Sequence, residues 1–359
     1  MNKMQQINMR EAGDPSVLFI ESAVIPEPKS DELLVKVAFA GVNRPDVMQR
    51  QGLYPMPKGV TPIMGLELSG EVVKVGSDVK NFSVGDLICA LTDGGAYAEY
   101  CVVKASQTLP IPQGYTLQEA AMLPETLFTV WANLFMQQQM KSGESLLVHG
   151  GTSGIGITAL SIAKSLGIKT FATVGNAEKC KVVEQLGAAA INYKTENFVE
   201  AIRQHQVGVD GVLDLIGASY FSQNLEILNK DGRIFLIGFM GGNIAKEVDL
   251  LKIAVKRATI TGSTMRGRTS EEKAAIAQSL LDNVWDKLAS GQISKPILHK
   301  CYDFNDVQQA HIEIDKGTHI GKILFGINVS YGLCYKALCR YKPMQSQKQG
   351  NLNVRTIPT

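Results

Sequence analysis

The chain has 359 residues, 45% hydrophobic and 19% charged, a balance that gives room for two folded domains and excludes a disordered or collagenous chain. Lysine and arginine total 36 against 34 for aspartate and glutamate, so net charge gives no reason to expect a nucleic-acid or membrane-surface partner. No stretch of about 18 residues is apolar and free of charge, and Met1 to Arg10 lacks the apolar core of a secretory signal, so the expected address is the cytoplasm.

From residue 32 to about 104 the sequence runs through short alternating or β-branched stretches at 33–42, 69–75 and 98–103. Turn signals at Gly76-Ser77-Asp78, Gly85-Asp86 and Asp93-Gly94-Gly95 separate them, which predicts an antiparallel, partly barrel-like domain. After Leu109-Pro110-Ile111-Pro112 the texture changes. Thr116 followed by Glu119 predicts a capped helix, and Pro124 starts the next, carrying Trp131 and Phe135.

Beyond Lys141 the pattern becomes strand, helix, strand, helix. Strands are predicted at 145–149, 170–174, 190–192, 212–216 and 234–237, with helices at 155–166, 178–186, 198–205 and 221–228 between them. Gly167 and Gly187 stand where the first two helices should end. Such alternation is the pattern of a doubly wound parallel sheet. Later, Thr269 with Glu272 caps a helix predicted to run to residue 288, 304–314 reads as another helix, and 322–325 as a last strand, a segment expected to fold back onto the first domain.

Periodicity stops near residue 328. The segment 328–359 is expected to be a disordered tail; it holds five basic residues and no acid, so the rest of the chain is net −3 against +2 for the whole.

The six cysteines, Cys89, Cys101, Cys180, Cys301, Cys334 and Cys339, form no C-x-x-C pair, and read as reduced, mostly buried thiols. The five histidines lack the close spacing of a zinc site, so no metal is expected from spacing.

Residues 145–149 are followed by Gly150-Gly151-Thr152-Ser153-Gly154-Ile155-Gly156. A strand that turns through glycines into a helix aims unsatisfied N–H groups and the positive helix end at an anion. Against the G-x-G-x-x-G pattern, Gly151 and Gly156 take the first and third glycine positions and Ser153 the second, so a dinucleotide pyrophosphate is expected over Gly151, Thr152, Ser153, Gly154 and Ile155. At the end of the second strand an NAD site places a carboxylate on the ribose. Here Val174-Gly175-Asn176 stands instead, with Lys179 one helical turn on, which favours NADPH. Glu178 is the dissenting residue, although behind an Asn176 cap it also suits the helix dipole.

Asn43-Arg-Pro-Asp46-Val-Met-Gln-Arg-Gln-Gly52-Leu-Tyr54, Gly65-Leu66-Glu67-Leu-Ser-Gly70 and the glycine turn together resemble the quinone oxidoreductases of the medium-chain dehydrogenase/reductase superfamily. This is the zeta-crystallin-like group, and the long first string is most similar to its tumour-suppressor-inducible branch. The likeness covers about residues 5–327. It implies an α/β chain with a GroES-like, mostly antiparallel catalytic domain (1–124 and 263–327) and a Rossmann domain (125–262), working as a homodimer.

Zinc-dependent members carry a cysteine near the position of Asn43 and a histidine at that of Leu66, so the resemblance implies a zinc-free enzyme. Without a Lewis acid an alcohol is hard to oxidise, and a conjugated acceptor is the better match. The resemblance therefore implies NADPH-dependent reduction of a quinone. Reduction of enones or enoyl thioesters is the alternative, and a non-catalytic dinucleotide-binding protein the alternative of another class.

By resemblance, Asn43, Asp46 and Tyr54 line the acceptor site, and Tyr54 holds or protonates the acceptor oxygen. Against this, Asn43 reads equally as a partner of backbone or nicotinamide-amide groups, Asp46 as a helix cap and Tyr54 as a turn anchor. Tyr193 is expected near the adenosine 2′-phosphate, Thr129 and Trp131 towards the nicotinamide, Gly238, Phe239 and Met240 at its border, and Arg266 facing the cleft. A solvated surface pair is an equal reading for Arg266 and Arg268.

Overall fold

The computed structural model describes residues 2–327 except Pro55 and Pro57; the segment expected as a tail, with Cys334 and Cys339, lies outside the described residues. The chain opens on a hairpin, β1 (Lys3–Met9) and β2 (Leu18–Val24). No strand is predicted there, because β1 buries only Met4 and Ile7 and so alternates weakly. Then come β3 (Glu32–Val42), α1 (Arg44–Arg50), β4 (Glu67–Val75), β5 (Leu87–Leu91), β6 (Tyr100–Lys104) and β7 (Thr108–Pro110). Two short helices follow, α2 (Leu117–Ala120) and α3 (Pro124–Val130).

The alternating region comprises β8 (Ser145–His149), α4 (Gly154–Ser165), β9 (Lys169–Val174), α5 (Ala177–Gln185), β10 (Ala189–Asn192), α6 (Phe198–Arg203), β11 (Val209–Asp214), α7 (Phe221–Ile227), β12 (Leu228–Leu236), α8 (Leu250–Lys256) and β13 (Thr259–Gly262). The chain then forms α9 (Ser270–Asn283), α10 (Trp285–Ala289), β14 (Leu298–Asp303), α11 (Val307–Lys316) and β15 (Lys322–Gly326).

Strands β8 to β13 make a six-stranded parallel sheet in the order β10-β9-β8-β11-β12-β13. The order reverses between β8 and β11, and in such sheets a ligand crevice opens at the carboxyl ends of the strands beside that switch. The second sheet runs β14-β15-β3-β4-β5-β7, with β6 also on β3, and is antiparallel apart from the β14–β15 pair. Its last strands come from the far end of the chain, as expected of a segment folding back.

Some elements differ from the sequence expectation. The helix from Thr269 has the capping box, with Glu272 N–H donating to Thr269 Oγ1 at 3.2 Å. It breaks at Val284, where buried Trp285 donates its indole N–H to the Pro110 carbonyl at 3.1 Å and opens α10. The helix carrying Trp131 and Phe135 widens into a π turn over Trp131–Gln137. Neither α8 nor β13 is predicted: α8 buries no residue and β13 exposes both its ends, so neither shows clear periodicity.

A buried polar knot ties α1 to α11. Arg50, 1% exposed, donates to Gly13 O (3.1 Å) and Asp315 Oδ2 (2.8 Å), and its Nη1 lies 3.2 Å from His311 Nδ1. Burial, then the Arg50 charge, pushes His311 down to about 3. The imidazole is therefore neutral in the fold, whereas the unfolded chain takes up a proton below about pH 6.5. Stability from this group is complete above pH 6.5 and declines by about 1.4 kcal/mol per pH unit as the pH falls towards 3. Urea unfolding of His311→Gln is expected to show a smaller loss between pH 7 and 5 than the parent; parallel losses would assign the acid sensitivity elsewhere.

Candidate active site

The glycine turn lies at the carboxyl end of β8. Ser153 caps α4, its hydroxyl accepting from Gly156 N–H at 3.0 Å, and Gly151 N–H donates to Thr173 O at 3.0 Å. A β-carbon on Gly156 would stand 2.4 Å from the Gly150 carbonyl oxygen, and one on Gly151 would be 2.7 Å from Ala172 Cβ. Only glycine lets the turn pack this closely on β8 and β9. Thr152 is buried and its carbonyl accepts from Gly321 N–H at 2.8 Å, while Ile155 is half-buried. The arrangement suits a pyrophosphate over the first turn of the twelve-residue α4.

Next to it, β9 ends on buried Val174, then Gly175 and the exposed Asn176, whose side chain accepts from Lys179 N–H at 2.8 Å and caps α5. Tyr193 N–H donates to Val174 O at 3.1 Å, and a β-carbon on Gly175 would lie 2.8 Å from the Tyr193 hydroxyl. Lys179 Nζ donates to Gly317 O at 3.2 Å, and burial followed by the Lys194 charge lowers its pKa. Tyr193, Lys179 and Lys194 thus gather about a strand end without an acid at Gly175-Asn176. Glu178 is exposed in the first turn of α5, beside the positive end of its dipole.

Gly238, Phe239 and Met240 follow β12 on the same side of the sheet. Met240 N–H donates to Leu215 O at 3.2 Å, and both Phe239 and Met240 are exposed. Trp131 is less available than Thr129: it is 7% exposed with its indole N–H given to Ser279 Oγ at 2.9 Å, whereas Thr129 is half-buried.

The other wall comes from the second sheet. Asp46 is fully buried and accepts from Asn43 N–H (2.8 Å) and Gly65 N–H (3.0 Å). It closes the turn of α1, and burial nevertheless raises its carboxyl to about 6. The Asn43 amide donates to Glu67 Oε1 at 3.0 Å and accepts from Lys322 Nζ, which also pairs with Glu67. Glu67 Oε2 accepts from Glu125 N–H at 2.9 Å.

Tyr54 is half-buried, with the Arg266 guanidinium 4.8 Å from its ring centroid. Arg266 is 6% exposed, not on a solvated surface, and gives Nη2 to Gln49 Oε1 at 2.7 Å. Arg268 lies 3.9 Å from Glu272 and takes no part in the cleft. Tyr54, Leu66, Glu125, Met265 and Arg266 line one cleft. Lys273, buried and paired with Asp93 at 2.5 Å, lines it as well.

The two walls meet through Lys322, whose stem lies over Gly154, and through a β-bridge between Ser153 and Gly321. Lys322 thereby joins the glycine turn to Asn43; Tyr54 lines the cleft, whereas Asp46, expected there, is fully buried behind the turn it closes. Sequence reasoning did not single out Glu67, Lys322, Glu125, Gln49 or Lys273. For Lys322 a signal existed: it is the lone charge in the otherwise apolar strand β15.

Among the described residues no group of three or more His, Cys, Asp or Glu is placed to hold a metal ion, and no helix is long and apolar enough to cross a membrane. Cys89 and Cys101 are buried and Cys180 and Cys301 half-buried, all as free thiols.

Residues 29–113 match the alcohol dehydrogenase GroES-like domain and residues 154–281 the zinc-binding dehydrogenase family. A curated quinone oxidoreductase of Rattus norvegicus is 30% identical over 319 residues, covering 87% of this chain and 94% of its own. Among solved structures, the Escherichia coli quinone oxidoreductase complexed with NADPH is 28% identical at a TM-score of 0.78, over 89% of this chain and 99% of that one. The CurK enoyl reductase shares the fold at a TM-score of 0.80 and 24% identity, over 91% and 100%. The architecture is a GroES-like domain joined to a Rossmann domain.

Proposed function

The chain belongs to the quinone oxidoreductases of the medium-chain dehydrogenase/reductase superfamily, and we propose that it reduces quinones with NADPH and without zinc. It is an NADPH oxidoreductase, divided in this reading into a catalytic domain of 1–124 with 263–327 and a cofactor domain of 125–262. The observation that carries the cofactor assignment is the end of β9, where Lys179 and Tyr193 surround a position without a carboxylate. An acid there would repel a 2′-phosphate, and a lysine and a phenol receive one.

When bound, NADPH supplies a hydride. Gly151, Thr152, Ser153, Gly154 and Ile155 hold its pyrophosphate, Val174, Gly175, Asn176, Lys179 and Tyr193 its adenosine end. Thr129, Trp131, Gly238, Phe239 and Met240 border the nicotinamide side, with Asn43 and Arg266 across the cleft. Tyr54 donates its hydroxyl to the acceptor oxygen; burial, then the Glu125 charge, raises its pKa, so it keeps its proton while acting as a donor. Asp46 fixes the turn that presents Asn43 and Tyr54. The Asn43 amide and the Leu66 side chain offer neither thiolate nor imidazole to a zinc ion, which supports zinc-independent chemistry. A quinone or an enone accepts hydride without needing a metal-held alkoxide.

Steady-state assays with a small para-quinone, a 2-alkenal and a crotonyl thioester are expected to favour the quinone, before and after dialysis against a chelator, with Tyr54→Phe lowering kcat about tenfold. Strong thioester turnover with no quinone reduction would replace this reading by the enoyl reductase one. The exposed edge strand β13, with Leu250, Leu251 and Val255 exposed on α8, supports a homodimer. A small-molecule acceptor and a cytoplasmic address complete the reading.

A further inference from the structure

Glu125 is the second residue of α3, behind Pro124. Its backbone N–H is fixed on Glu67 Oε2 at 2.9 Å, and its side chain, 9% exposed, lines the cleft beside Tyr54 and Arg266. A carboxyl this deep stays ionised only with a cation of its own. Lys322, whose charge acts on Glu125, is already paired with Glu67, and Lys273, in the same cleft, is paired with Asp93. Burial, then the Glu67 charge, raises Glu125 to about 8; Asp46 adds to the rise, and Lys322 and Arg266 oppose it. At neutral pH the cleft therefore contains a neutral carboxylic acid.

Arg266 provides a second, independent observation. It is 94% buried by its 6% exposure, its Nη2 is committed to Gln49, and its Nε and Nη1 have no partner in the protein. Buried N–H groups of a guanidinium are costly to leave unbonded. Two such donors, on a side chain that lines the cleft, suit an oxygen that gains negative charge.

Resting on the quinone-reductase reading, we propose that Glu125 delivers a proton to the oxygen of the reduced acceptor, while Nε and Nη1 of Arg266 hold the charge on that oxygen until the proton arrives. A quinone that takes the hydride of NADPH gains two electrons and one proton and becomes a hydroquinone monoanion. Glu125 then breaks its carboxyl O–H bond as the new O–H bond forms. The products are the neutral hydroquinone and a Glu125 carboxylate, which recovers its proton from water.

Difference infrared spectra of wild type against Glu125→Gln are expected to show a protonated-carboxyl band at pH 7 that disappears as the pH passes about 8. Absence of the band at pH 7 overturns the proposal, whatever acceptor the enzyme uses. In turnover with a para-quinone, Glu125→Gln is expected to lower kcat roughly 10²-fold, to leave the NADPH Kd within about twofold, and to remove the fall in kcat that the wild type shows above pH 8. An unchanged kcat with the same alkaline fall also overturns it. Should the wild type reduce an alkenal and no quinone, the quinone reading fails by itself, and the same variant comparison on the alkenal decides the proton donor.

Discussion

Lys179→Ala is expected to weaken NADPH binding roughly 10²-fold while changing NADH binding by less than about twofold, because a charge-assisted contact to phosphate is worth about 1.5–3 kcal/mol and each 1.4 kcal/mol is a factor of ten. Lys179 is held in place from two sides. Its backbone N–H is fixed by the Asn176 cap and its ammonium rests on the Gly317 carbonyl oxygen. The lysine is therefore positioned before a ligand arrives, and little ordering opposes its contact with a 2′-phosphate. Partial burial, then the charge of Lys194, already disfavours its protonated form, so an incoming dianion offsets part of that cost as well as forming a new contact. NADH carries a hydroxyl at that point and gains neither. Fluorescence titration with both cofactors is the measurement, and equal losses for the two would refute the 2′-phosphate assignment.

Lys322→Met is expected to reduce stability by about 3–5 kcal/mol, the range for breaking a buried ion pair from one side. Glu67 is fully buried and Lys322 is 5% exposed. Without the ammonium, Glu67 keeps only the Asn43 amide and the Glu125 backbone N–H, which together do not replace a cation. Lys322 also packs over Gly154, so the loss should extend to the pyrophosphate turn. A double variant, Glu67→Gln with Lys322→Met, removes the stranded charge and is expected to recover half or more of the lost stability. Urea midpoints measure both; a double variant no more stable than the single one would show that packing, not charge, dominates at this position.

Much of the architecture was legible because each signal is local. The strand–turn–helix at residues 145–166 is announced by its glycines, and the capped helix at Thr269 by a reciprocal pair three residues apart. The same holds for the lysine beyond Asn176. Several elements escaped notice because they carry little local signal: β1 has two buried residues, and α8 with β13 lies on a largely exposed edge. The charged side of the candidate site was obscure for the same reason. Nothing near Glu67 in sequence announces Lys322, 255 residues away, and nothing near Arg266 announces Gln49. For Arg266 the cleft and a solvated surface pair were equal readings, because an arginine beside Arg268 carries no mark of burial in the sequence.

The bridge between Ser153 and Gly321, and the reach of Lys322 to Asn43 across 279 residues of chain, bear on synthesis as well as on chemistry. A ribosome makes the dinucleotide turn and the Asn43–Tyr54 loop long before it makes β15. Until that strand emerges, Glu67 lacks its cation and the turn lacks its brace, so a nascent chain holds both halves of a cleft that it cannot yet close. Contacts this far apart are slow to form. Nucleotide retention by ribosome-stalled chains of increasing length should therefore rise late and steeply, once residues 321 and 322 have cleared the exit tunnel.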